Sequence, residues 1–280
     1  MNRARRKFRS LPRGAFSCLG TRQPHATFVE CGVPVTNLAC GLPKFRRFGQ
    51  SMTGLWGWCM IVVVGLEFEA RIAVGPGMRV ICSGNGRNLA AQLAQAITAD
   101  CRGLVSFGVA GGLAPELKPG DCVVGTGVLT DKGRIEADRH WSDILLQTIP
   151  DAVPGLLLGV TAPVADPQAK RALYLKTGAV AVDMESHVVA RVGAARGLPV
   201  AAIRVITDPA MRGLPKAALA AMRPNGTTDI AAMIRSLLQR PRELPALVRT
   251  ALDARAARAT MIRGRQLLGP GLGLPQFQNA

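Results

Sequence analysis

The stretch Leu104-Val105-Ser106-Phe107-Gly108-Val109-Ala110-Gly111-Gly112 sets the fold class. Residues 104–108 form an apolar run of the kind found in strands buried on both faces. The small residues 109–112 read as a tight turn, or as a backbone nest for an anion, because glycines without Cβ let a ligand approach the main chain. Working outward, residues 61–65 (IVVVG) and 79–83 (RVICS) read as further buried strands. Between them and the central stretch, residues 88–99 read as a helix with Leu89, Leu93, Ala96 and Ile97 on one face. Downstream, strands are expected at 121–129, 156–160, 179–183 and 198–207, the last closed by Asp208-Pro209. Helices are expected at 166–176, where Asp166-Pro167 supplies an N-cap and an N1 proline, and at 185–196. This alternation predicts one α/β domain over residues 58–240, with a mostly parallel central mixed sheet flanked by helices.

After Asp229 the pattern is wholly helical. Residues 244–263 place Leu244, Leu247, Val248, Ala251, Leu252, Ala259 and Ile262 near one face, with Arg249, Arg255, Arg258 and Arg263 over much of the rest. Residues 241–280 are therefore expected to be a basic helix and tail, either packed on the body with a solvated basic face or meeting an anionic membrane surface.

The 280 residues carry a formal net charge of +17, but the charge is uneven. Residues 1–51 hold ten Lys and Arg against the single acid Glu30. They are expected to be a basic, disordered extension, or residues translated upstream of a true start at Met52 or Met60. A basic tail without aromatic platforms or a binding motif is a poor footprint for nucleic acid, so no nucleic-acid partner is expected. The seven cysteines show no C-x-x-C spacing and the three histidines lie far apart, so no zinc or other metal is expected, only reduced thiols of a cytoplasmic protein. No run approaches the roughly 18–20 apolar residues of a membrane span.

Two further segments place carboxylates where strands give way to helices: Val182-Asp183-Met184-Glu185-Ser186 and Arg204-Val205-Ile206-Thr207-Asp208. Helix dipoles and N-capping are sufficient structural reasons for such acids. The same position also suits a carboxylate that holds a ribose diol or protonates a leaving group.

Taken together, Gly108–Gly112 as G-x-A-G-G, Val182–Glu185 as V-D-M-E and Arg204–Asp208 as R-x-I-[ST]-D resemble the purine nucleoside phosphorylase and methylthioadenosine nucleosidase superfamily over roughly residues 60–236. The runs GLEFEARIA, VSFGVAGGL and AVDMESH are similar to the hopanoid-associated phosphorylase branch, which acts on adenosylhopane. The resemblance implies that Asp208 protonates N7 of the purine, that Glu185 holds the ribose hydroxyls and Met184 packs on the sugar, and that Gly111, Gly112 and Val164 line the pocket. It implies that Glu69 orients the attacking water, with Glu67 an alternative because the alignment needs a one-residue gap there. No cofactor is implied, although phosphate is a candidate co-substrate with Arg71 and Arg87 to hold it. A homo-oligomer is implied, working in the cytoplasm and peripherally at the inner face of the membrane on a small or lipid-linked nucleoside.

Two departures bear on these expectations. Val109 stands where phosphorolytic members often have Ser or Thr, and Pro163-Val164 stands where several nucleosidases stack a Phe on the base. Two rival activities are also open: cleavage of small nucleosides such as methylthioadenosine or adenosine, and dinucleotide binding through Gly84-Asn85-Gly86-Arg87. The second lacks the acid that a Rossmann site wants at the end of the next strand.

Overall fold

The computed structural model describes residues 59–83, 88–223 and 226–275. The expectations for residues 1–51, for Arg87 and for the glycine segment 84–87 lie outside the described residues. The chain builds an eight-stranded mixed sheet. Its strands are β1 (Cys59–Val64), β2 (Met78–Cys82), β3 (Cys101–Gly112), β4 (Cys122–Thr130), β5 (Gly133–Glu136), β6 (Val153–Gly159), β7 (Ala181–Asp183) and β8 (Val200–Asp208). Helices α1 (Glu67–Ala73), α2 (Leu89–Ala96), α3 (Arg139–Thr148), α4 (Pro167–Thr177), α5 (Ser186–Arg196), α6 (Lys216–Ala220), α7 (Ile230–Gln239) and α8 (Leu244–Leu267) surround it.

β1, β3 and β8 are the apolar runs, and both of their faces are covered. In β1, Met60, Val62 and Val64 enter one core cluster with Phe107, Trp141 and Met261, while Cys59, Ile61 and Val63 enter another with Leu89, Leu93 and Val189. Burial on both faces along β1, residues 103–108 of β3 and residues 200–206 of β8 explains why these strands read as continuous hydrophobic sequence rather than as an alternation.

The sheet order β2-β1-β3-β7-β6-β4-β5 is closed by β8, which pairs with β3 in parallel and with β4 antiparallel. Strands β3, β7, β6, β4 and β8 thus form a ring. Register shifts between Gly125 and Gly127 and opposite Ala110–Gly111 supply the extra twist that a closed, coiled sheet needs.

The expected turn at residues 109–112 is not a turn. β3 runs on through Gly112, because Gly111 and Gly112 pair antiparallel with Val182 and Ala181 of β7, and Gly111 also registers with Asp208 of β8. Helix α4 starts as expected, with Asp166 accepting from the Ala169 N–H at 2.8 Å, and it ends at Gly178 in the left-handed region (φ 67°).

Helix α8 departs from its sequence reading. It continues to Leu267, and the side it buries is Ala257, Met261 and Gly264. Leu244, Val248, Leu252 and Ile262, expected on the packed face, are exposed. The segment after α8 returns to the core: Leu268, Leu272 and Leu274 pack in the β1–β3–β8 cluster, and the Trp141 indole N–H donates to the Leu272 carbonyl at 2.9 Å. No helix among the described residues is long and apolar enough to cross a membrane.

Candidate active site

The C-terminal ends of the parallel strands β1, β3 and β8 lie together, and β7 enters from the opposite direction. These ends and the start of α1 bring Glu69, Glu185, Asp183, Arg204 and Asp208 around the glycine-lined end of β3. A Cβ on Gly108 would stand 2.7 Å from Glu69 Oε1 and 2.8 Å from Arg204 Nη1. One on Gly65 would stand 2.8 Å from Glu185 Oε1, and one on Gly111 would stand 3.0 Å from Asp208 Oδ2. The glycines are therefore required by close approach of charged side chains, a stronger reason than turn formation.

Arg204 is the centre of this arrangement. It has no exposed surface and lies in the otherwise apolar run of residues 200–206. Its guanidinium reaches Asp183 Oδ1 at 3.1 Å and Glu185 Oε2 at 3.3 Å, and donates to Ser106 Oγ, Ser186 Oγ and the Val109 carbonyl. Asp183 Oδ1 also accepts from the N–H groups of Glu185 (2.9 Å) and Ser186 (2.7 Å), which fixes the entry to α5. Asp183 thus holds Arg204 and the backbone, while Glu185 keeps a carboxyl toward Gly65.

Glu69 is fixed from three sides. Its Oε2 accepts from the N–H groups of Gly65 and Leu66, both at 2.8 Å, and Oε1 accepts from Val109 N–H at 2.8 Å. Burial decides between the two acids of α1: Glu69 is 1 % exposed, whereas Glu67 has a side chain 53 % exposed. Glu67 pairs with Arg71 across one helical turn, so Arg71 lies on the solvent side of α1 and is not brought to the cluster.

Asp208 is paired with a residue to which sequence reasoning gave no role. Lys170, from the first turns of α4, is fully buried, and its ammonium lies 2.6 Å from Asp208 Oδ2. It also donates to the carbonyls of Asp208, Pro209 and Arg212 at 3.1–3.3 Å. Thr207 Oγ1 donates to Asp208 Oδ1 at 3.0 Å. Among the other expected pocket residues, Met184 is half-buried between Asp183 and Glu185. Val164 packs against the small cluster of Leu113, Leu158, Ala179 and Val182, next to Gly112.

Three carboxylates around one guanidinium cannot all ionise without penalty in a buried site. Burial pushes Glu185 up to about 8, with Arg204 opposing and the charges of Asp183 and Glu69 adding. Burial also raises Glu69, against the pull of Arg204 and the three backbone N–H donors. Asp208 is raised by burial, against the opposing charge of Lys170. An acid that holds its proton near neutrality, Glu185, beside two further carboxyls that burial pushes up, Asp208 and Glu69, forms a set suited to acid–base work on a bond with a departing base.

A family model described as the phosphorylase superfamily matches residues 64–239. No curated protein sequence matches the chain. Among solved structures, futalosine hydrolase of Helicobacter pylori strain 26695 is similar at 16% identity, with a TM-score of 0.51 over 65% of this chain and 97% of that one. The 5′-methylthioadenosine/S-adenosyl homocysteine nucleosidase of the same organism, complexed with a pyrrolidinol compound, is similar at 16% identity and a TM-score of 0.51, covering 65% and 98%. A Borrelia burgdorferi B31 protein described as such a nucleosidase and bound to adenine is similar at 13% identity and a TM-score of 0.51, covering 74% and 98%. These likenesses show a shared fold. With the matched model covering more than half of its length, the chain belongs to the phosphorylase superfamily.

Proposed function

We propose that the chain is an N-glycosidase that releases adenine from adenosylhopane, with water as the nucleophile. The observation that carries the reading is the close approach of Glu69 to Gly108 and of Asp208 to Gly111 in β3, with Glu185 against Gly65 after β1 and bonded to the same Arg204 that lies at Gly108. The hopane conjugate is supported by the runs GLEFEARIA, VSFGVAGGL and AVDMESH. Water rather than phosphate is supported by Val109, which stands where phosphorolytic members often have Ser or Thr, and by Arg71, one of the two phosphate-binding candidates, which pairs with Glu67 at the surface.

In this mechanism the N9–C1′ bond breaks with its electron pair passing to the purine. Asp208 delivers a proton to N7, so the base leaves neutral. Lys170 Nζ, at 2.6 Å, returns a proton to Asp208 Oδ2. Glu185, holding its proton near neutrality, donates to a ribose hydroxyl, and Met184 covers the sugar. Glu69 takes a proton from water as its oxygen bonds to C1′; its Oε1 accepts a single backbone N–H, from Val109, and has a lone pair left for that water. A conjugate of this kind sits in a bilayer, so the enzyme works from the cytoplasm at the inner membrane face, as a homo-oligomer and without a cofactor.

The test is adenine release from adenosylhopane, methylthioadenosine and adenosine, each with and without phosphate. Release from the hopane conjugate in phosphate-free buffer is expected. A phosphate requirement would replace water by phosphorolysis, and turnover confined to the small nucleosides would remove the hopanoid reading while keeping the site.

A further inference from the structure

We infer that the outer side of α7 and α8 is a docking surface for an anionic lipid bilayer. Helix α7 exposes Ile230, Ile234 and Leu238, and α8 exposes Leu244, Val248 and Leu252, each set spaced by four residues. Leu238 is 78 % exposed and Leu252 60 %. At 3.6 residues per turn, this stripe of α8 lies opposite the side that Ala257, Met261 and Gly264 bury against the core. The helix therefore has two apolar faces, and the fold uses one. Isolated exposed apolar side chains are ordinary on protein surfaces, but three at helical spacing on each of two successive helices, linked by the short 3-10 turn Pro241–Glu243, are more than scattered singles.

The charge of this surface selects the occupant. Arg235, Arg240, Arg242, Arg249, Arg255 and Arg258 are all exposed beside the stripes. Residues 230–267 contain only two acids, and both are engaged: Glu243 accepts from the Ala217 N–H at 3.2 Å, and Asp253 pairs with Arg212 at 2.8 Å. What is left is apolar and cationic, the composition of helices that lie in the interface of a negatively charged membrane. A second copy of the chain would set arginine against arginine, which disfavours self-association through this side. The same helix reaches the candidate active site, because Arg212, held by Asp253 of α8, gives its carbonyl to Lys170, the partner of Asp208. The inference rests on the surface and stands apart from the identity of the nucleoside.

The experiment compares the full chain with an Ile234→Ser/Val248→Ser/Leu252→Ser variant, which keeps every arginine and the whole basic segment 1–51. Partitioning is measured by sedimentation with phosphatidylcholine vesicles, with and without phosphatidylglycerol, alongside thermal melting and sedimentation velocity. The full chain should bind only the vesicles containing phosphatidylglycerol. The variant should melt as the full chain does and lose at least roughly tenfold in partitioning, the effect of removing three insertable apolar groups. Equal partitioning of the two proteins would assign binding to charge alone and overturn the proposal, as would failure of the full chain to bind. A smaller assembly of the variant with unchanged vesicle binding would give the surface to a second copy and overturn it equally.

Discussion

Lys170 and Asp208 form a buried ion pair at 2.6 Å, with the lysine fully enclosed and the aspartate side chain 13 % exposed. The two remaining donors of the ammonium are shared among three carbonyls, so it is satisfied without water. A cation near a helix N-terminus opposes the dipole, and the pair with Asp208 offsets that penalty. Lys170→Met is expected to cost about 3–5 kcal/mol of stability, since it leaves a buried carboxylate without its partner. Lys170→Met/Asp208→Asn should recover much of that loss in thermal melts. A double variant no more stable than Lys170→Met would show that the pair is not coupled.

For the reaction, Asp208→Asn should lower adenine release by roughly 10²–10⁴ with the fold retained, the range for loss of an acid–base group. Lys170→Met should lower it by a smaller factor and shift the basic limb of the pH–rate profile. Turnover at the unmodified rate in Asp208→Asn would remove the proposed proton donor.

The two acids of α1 offer an internal control. Glu69→Gln should cut turnover by roughly 10²-fold or more. Glu67→Gln, on the exposed side and with its carboxylate paired to Arg71, should leave turnover within about twofold, because exposed pairs contribute little. The reverse ranking in steady-state assays would move the water-orienting role to Glu67.

Glu185 should make stability depend on pH. Its folded value of about 8 lies above the ordinary 4.5, so the folded state holds a proton that the unfolded chain has released between those limits. Its contribution is therefore fully present below about pH 4.5 and is lost as the pH climbs through 8. Melting temperatures followed across that window should fall less steeply for Glu185→Gln than for the parent. Parallel curves would show that Glu185 is not protonated over this range.

Gly108→Ala probes the close packing of the cluster. The added methyl would meet Glu69 Oε1 at 2.7 Å and Arg204 Nη1 at 2.8 Å, so both must give way. Activity should drop at least tenfold for a displacement of this kind, while Gly264→Ala, in helix α8 and with nothing nearer to an added Cβ than Ile149 Cδ1 at 3.9 Å, should leave activity intact. An equally active Gly108→Ala enzyme would mean that the cluster can relax without consequence.

The sequence made the layered part of the fold legible where burial was complete. β1, β3 and β8 announced themselves as apolar runs, and Leu89, Leu93 and Ala96 gave the packed side of α2. Ring closure left no such mark, because it depends on register shifts at Thr126 and Thr207 that a hydrophobic pattern does not encode. Helix α3 had an available signal that the reading passed over: Asp138 as N-cap, followed by Trp141, Ile144 and Leu145 on one side. At the site, Glu185 and Asp208 stood out as acids at strand ends. Glu69 and Glu67 were separable only by burial. Arg204 was present in the quoted motif without a role, although a lone arginine in VAAIRVI was itself the clue. Lys170 resembled any solvated helix lysine, and its placement near the start of α4 was its one irregularity.

The bond from Trp141 to Leu272 reaches across 131 positions of sequence. During synthesis the indole, and the core surface around it, must wait for residues 268–274 to emerge before they can be covered. A nascent chain of this protein therefore carries this part of the core unfinished while those 131 positions are added. Tags, fusions or stop codons placed before residue 274 would leave that core permanently open, so expression trials should extend the chain beyond that point.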